Sequence, residues 1–250
     1  MTAALRNRSL LLLLAAIAAA WMTLVGAQLA GLAPALHHHA LASGGRPLWQ
    51  GLAIFAPAWL LMVVAMMLPS SLAMLAAHDR VTAAEPRRDL ARLVFLVAYL
   101  TAWTLFGLLA LAGDTQVHAA VRSSLWLADN KYLIGAATLV GAGLFQFTPL
   151  KRRCLTICRS PLGFLLERYR PGVLNAGRLG LGHALYCIGC CWALMVVTFA
   201  AGVAALTWML AMSAVMVVEK TTPRGDRLAI PVGVTLILGG VLLALGQSPL

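Results

Sequence analysis

The chain is short of the charge that a water-facing surface needs. Asp, Glu, Lys and Arg make up 11% of its 250 residues, against roughly 25% in a typical soluble domain. With 61% of residues hydrophobic and a mean hydropathy of +0.87, an ordinary soluble fold is excluded. Cysteine is scarce too: five residues, an odd number in a chain without the character of a small secreted domain, exclude a disulfide framework. Also missing are a Gly-rich nucleotide loop, an HExxH pair and carboxylates paired deep inside an apolar run, so the sequence offers little that points to an enzyme.

What is present is a series of apolar runs of membrane-crossing length, which a bilayer requires of a helix. They predict an all-α polytopic transmembrane bundle of about seven spans, a single domain covering 1–250: roughly 10–32, 54–77, 93–112, 132–150, 179–201, 203–218 and 228–246. The first run follows Arg6 and Arg8. Its length exceeds that of a signal-peptide core, so it reads as an uncleaved helix, with a small-residue stretch at Gly26 and Ala27 keeping cleavage as the alternative. Spans five and six are separated by little more than Gly202 and form a tight antiparallel hairpin. The segment 151–178 is the longest inner connection, and within it Pro161 opens a short helix, closed by Pro171 and Gly172, suited to lie at the interface and cover nearby groups.

The formal charge of +11 raises the question of nucleic acid, and the distribution answers it. With the N-terminus inside, the inner segments hold Arg6, Arg8, Arg80, Arg87, Arg88, Arg92, Lys151, Arg152, Arg153, Arg159, Arg168, Arg170, Arg178, Lys220, Arg224 and Arg227. Of the 19 basic residues, the outer segments keep Arg46, Arg122 and Lys131. That asymmetry predicts an N-in, C-out orientation in a bacterial cytoplasmic membrane. The lipid bilayer, not nucleic acid, is then the partner of the positive charge.

The five cysteines fall into two groups on the inner side. Cys154 and Cys158 follow the fourth span, and Cys187, Cys190 and Cys191 lie inside the fifth. On a helix, residues three and four apart share a face, so His183, Cys187, Cys190, Cys191 and Met195 form one stripe. The cytosol is reducing, which keeps such thiols free. Thiols with His and thioether suit a soft transition metal, copper favoured over zinc or iron. Met62 and Met66 share a face just before Pro69, which frees a carbonyl and bends its helix, and Met67 is adjacent; they are candidate soft ligands or gate residues. Any one of these residues is also ordinary packing: free Cys is a small hydrophobe and Met is common in apolar helices. His183 is as well suited to an interhelical hydrogen bond. The tract His37, His38, His39 resembles a weak surface metal site. Glu219 is expected to pair with Lys151, Arg152 or Arg178, with Lys220 reaching out to the headgroups. Asp114, His118 and Asp129 read as a solvated outer loop.

Several of these pieces occur in order. Ala65-Met66-Met67-Leu68-Pro69 resembles the AMMxP element of a bacterial family of predicted metal-binding integral membrane proteins. The run from Gln146 through Thr148, Pro149, Leu150 and Lys151 to Cys154, Cys158, Arg159 and Pro161 resembles that family's QxTPLK and CLxxCRxP elements. Cys187, Gly189, Cys190, Cys191, Trp192, Leu194 and Met195 match its CxGCCWxLM element, and Glu219-Lys220 its EK pair. Phe145 stands where Tyr is more usual. The resemblance covers about 50–245 and implies metal binding without naming a reaction.

Three functions are compatible with these residues. The first is transport of a soft metal, or its delivery to a metalloenzyme or metallochaperone partner, with Cys154, Cys158, Cys187, Cys190 and Cys191 as ligands. The second is an accessory subunit of a larger membrane complex, with structural cysteines and the small residues Gly135, Gly141 and Gly143 admitting a partner helix. The third is thiol redox chemistry at Cys187 and Cys190, for which a lipid-buried dithiol has poor access.

Overall fold

The computed structural model of the chain describes residues 2–32, 48–201 and 206–246. The histidine tract at 37–39 and the turn at Gly202 lie outside them. Among the described residues there are ten α-helices and a short 3-10 turn. In chain order these are α1 (Thr2–Leu29), α2 (Leu48–Val81), α3 (Arg88–Ser123), α4 (Leu125–Asp129), α5 (Tyr132–Phe145), α6 (Pro149–Arg159), α7 (Pro161–Arg168), α8 (Val173–Ala201), α9 (Leu206–Thr221) and α10 (Ala229–Gly246). Among the described residues five helical stretches are long and apolar enough to cross a membrane, and six if the bent pair α5–α6 forms one span.

The bundle is apolar on its outside as well as its inside. Leu105 and Leu109 on α3, Leu11 and Leu12 on α1, and Leu238 and Leu242 on α10 are all exposed. A helix with Leu on its exposed face is stable when lipid replaces water there, which is why the sequence carries so few ions.

Where the sequence pattern predicts one span over 132–150, the backbone stops and turns. α5 ends at Phe145, and α6 starts at Pro149 after a bend of 64°. Thr148 is extended and caps α6, its Oγ1 accepting from the Lys151 amide at 3.3 Å. Pro149 occupies the first turn, where no N–H is needed. The bend lays α6 across α8. The segment 151–178 is thus mostly helical: α6, then α7, then the start of α8.

Two prolines sit inside α2, at Pro57 and Pro69, without ending it. Pro69 has no N–H for the carbonyl of Ala65, and that carbonyl accepts instead from the indole of Trp21 on α1 at 3.1 Å. The orphaned acceptor thus adds a hydrogen bond to the apolar packing of α1 on α2. α3 runs to Ser123, so Asp114 and His118 lie on its last turns, with the His118 ring 3.4 Å from the Asp114 carboxylate. α3 packs tightly on α8 at Gly180, whose missing Cβ leaves room for the Phe95 carbonyl. Of the small residues considered for a partner helix, Gly143 lies against Gly233 and Ile237 of α10 and Gly135 against Leu243, while Gly141 faces open space.

Candidate metal centre

All five cysteines are free and buried. Two helices bring them together. The bend before Pro149 carries Cys158 of α6 to within 3.9 Å, sulfur to sulfur, of Cys190 on α8. Cys154, one turn earlier, lies over the α8 backbone at Gly189, where an added Cβ would stand 2.6 Å from its sulfur. Without a Cβ at 189 that sulfur can lie directly on the α8 backbone; a side chain there would have to displace it. Cys190 and Cys191 each reach back to the Cys187 carbonyl, at 3.1 and 2.9 Å, as hydroxyls do in apolar helices.

The methionines divide. Met67 Sδ is 3.7 Å from Cys191 Sγ, so α2 contributes a thioether. Met66 and Met195 are fully buried in the surrounding core. His183 shares the α8 stripe with Cys187, but its Nε2 lies 3.2 Å from Ser71 Oγ and its ring stacks on Tyr99 at 5.4 Å. Its Nδ1 is buried without a partner. α7 covers this end of the site: Phe164 is buried, edge-on to His183 at 6.3 Å and to Tyr186 at 6.0 Å. Arg168 closes over the rings of Phe164 and Tyr186, at 4.9 and 5.3 Å from their centroids.

Charge enters from α9. Glu219 pairs with Lys151 of α6, the ammonium lying 2.9 and 2.8 Å from the two carboxylate oxygens, and both side chains are almost completely buried. Lys220 does not reach out to headgroups. It is 7% exposed and turns inward, its Nζ donating to Ser70 Oγ and Cys187 Sγ at 3.0 Å each and facing Cys191 Sγ at 3.9 Å. A lysine ammonium can only donate. Ser70 gives its own proton to the Met67 carbonyl at 2.9 Å, leaving a lone pair for Lys220.

Tyr99 of α3 completes the surroundings, its hydroxyl 3.3 Å from Cys187 Sγ and 3.1 Å from Ser71 Oγ. Side-chain hydrogen bonds thus run continuously from Cys187 through Tyr99 and Ser71 to His183. Tyr99, Ser70, Ser71 and the inward turn of Lys220 are absent from the sequence reading. The sign was there, in two consecutive serines after Pro69 inside an apolar run.

Sulfur therefore gathers in pairs, Cys158 with Cys190 and Cys191 with Met67, while Cys187 and Cys191 both face the Lys220 ammonium. Among the described residues no three His, Cys, Asp or Glu side chains converge closely enough to hold one metal ion together. Such pairs suit a two-coordinate soft ion better than a tetrahedral one, which needs four ligands at once.

Fold and site together define a polytopic α-helical membrane protein with a buried array of free thiols at the junction of α2, α6, α8 and α9. The PpoB2 family, described as copper chaperone, matches residues 56–243, and the chain belongs to that family. No curated protein and no solved structure matches it.

Proposed function

We propose that the protein binds Cu(I) as cargo through its cysteines and passes it on, in transport or in delivery to a metalloenzyme or a metallochaperone partner, without catalysing a reaction of its own. The observation that carries this reading is the meeting of reduced sulfur from three helices: Cys158 beside Cys190, and Met67 beside Cys191. Soft sulfur donors favour Cu(I), and Zn(II) or iron follow in that order. Membership of a family described as copper chaperone points the same way.

In this reading the chain crosses a bacterial cytoplasmic membrane seven times, N-terminus inside. α9 is one of the spans although its 16 residues give only about 24 Å of rise. The thiols then face the reducing cytosol, where no oxidant competes with the metal for them. Cys187, Cys190, Cys191, Cys154 and Cys158 are the ligands, Met67 assists, and Met66, Met195 and His183 line the path.

The test is metal content. The full chain and a Cys187→Ser/Cys190→Ser/Cys191→Ser variant are purified in detergent under reducing conditions, loaded with Cu(I) and assayed by elemental analysis. The wild type is expected to retain copper in stoichiometric amount and the variant to lose it; equal content refutes the proposal. The competing reading, an accessory subunit with structural cysteines, draws on the burial of all five thiols. It predicts a stoichiometric membrane partner and no bound metal.

A further inference from the structure

Resting on the reading of Cys187 and Cys191 as copper ligands, we propose that Lys220 is the residue that sets the charge of the cation they accept. The buried Lys and Glu side chains among the described residues are Lys151, Glu219 and Lys220. The first two neutralise each other at 2.8 Å. Lys220 remains, bringing one positive charge into a place where an unpaired ion is costly. Its ammonium is directed at the sulfurs, 3.0 Å from Cys187 and 3.9 Å from Cys191.

The charge balance then selects the guest. Two thiolates holding a monovalent soft ion form a complex of net charge −1, which the ammonium cancels. The same two thiolates holding a divalent ion are neutral, and Lys220 is left as an unpaired buried cation beside a second positive centre. Recruiting a third thiolate would restore neutrality, but no three such side chains converge here among the described residues. Softness explains why sulfur binds copper, silver, zinc and cadmium alike. The ammonium separates monovalent from divalent ions within that set.

A purely structural lysine makes a different prediction: its loss weakens every metal equally. The experiment uses the full-length protein in detergent under anaerobic conditions, carrying Cys158→Ser to remove the neighbouring sulfur pair. Affinities for Cu(I), Ag(I) and Cd(II) are read by competition with chromophoric chelators. Cd(II) is soft but divalent, so it isolates charge from softness. In this background, with Lys220 intact, the monovalent ions are expected to be preferred. Lys220→Met should lower that preference by about a hundredfold, by weakening Cu(I) and Ag(I) and strengthening Cd(II). Lys220→Arg, which keeps the charge, should retain it. Equal loss for all three ions in Lys220→Met overturns the inference. Where Lys220→Met fails to fold, the protein with Lys220 intact decides alone, because Cd(II) binding as tightly as Ag(I) also overturns it. Absence of Cu(I) binding in the wild-type chain refutes the copper reading itself, and this inference with it. Copper binding with no charge preference refutes only the role of Lys220.

Discussion

Removing the charge of Glu219 should destabilise the folded protein more than most single substitutions. The Lys151 ammonium sits 2.9 and 2.8 Å from the two oxygens of Glu219, and the side chains are 1% and 2% exposed. At that separation and an effective dielectric constant of about 20, the attraction is about 6 kcal/mol. Much of it offsets desolvation, and breaking such a buried pair from one side costs about 3–5 kcal/mol because the remaining charge is stranded. For a chain of this size, each kcal/mol moves the melting temperature by roughly 2–4 °C, so Glu219→Gln should lower it by about 6–20 °C. The five buried thiols supply the assay: a thiol-reactive fluorophore reports their exposure as the detergent-solubilised protein is heated. Replacing both partners by apolar residues, Lys151→Met with Glu219→Leu, should restore most of the loss, since no charge is then left without a counterpart. A shift below about 3 °C for Glu219→Gln would show that water reaches the pair. A double variant no better than the single one would also refute the reasoning, by showing that the pair acts through packing rather than charge.

Gly189→Ala should separate α6 from α8, because its methyl would stand 2.6 Å from Cys154 Sγ; overpacking of this kind costs about 1–3 kcal/mol, read as earlier thiol exposure in the same melt. Orientation is testable with reporters on the C-terminus: an outside C-terminus gives active alkaline phosphatase and a dark green fluorescent protein, and the reverse pattern refutes N-in, C-out. Tyr169 donates to Glu85 at 2.6 Å, and burial and then that carboxylate push its pKa up to about 12. Its contribution to stability is therefore complete below the unfolded value near 10 and lost as pH rises from about 10 to 12. Tyr169→Phe should flatten stability across that window, and tyrosinate absorbance should place the ionisation; a profile that matches the wild type refutes it.

The helical class was legible because a bilayer imposes length and apolarity on every crossing segment, and runs such as 54–77 and 93–112 show both directly. The break between α5 and α6 was harder to see. Gln146-Phe147-Thr148-Pro149 lies within an apolar stretch, and hydropathy sums are blind to a Thr cap followed by Pro. Yet that local chemistry turns the chain by 64° and decides where Cys154 and Cys158 go. The stripe of His183, Cys187 and Cys191 was readable from spacing alone, since a helix fixes which side chains share a face. Contacts between helices carry no such period. Hence the pairing of Glu219 with Lys151 was one choice among three, and Lys220 was expected to reach outward when it turns inward.

A stricter use of polar bookkeeping would have narrowed that choice. In hydrocarbon a polar group has no solvent to satisfy it, so those placed at depth must find one another. Ser70, Ser71, Tyr99, His183, Glu219 and Lys220 lie in or at the ends of apolar runs and, together with Lys151, leave few partners to choose from. The folded chain closes this set through Lys151–Glu219, Lys220–Ser70 and His183–Ser71–Tyr99. What is left over is informative: His183 Nδ1 without a partner, the five thiols, and one positive charge directed at two of them. Groups that only pack require no such ammonium. A buried cation held 3.0 Å from Cys187 sulfur is costly at membrane depth, and a charge kept there marks a place where chemistry rather than packing sets the sequence.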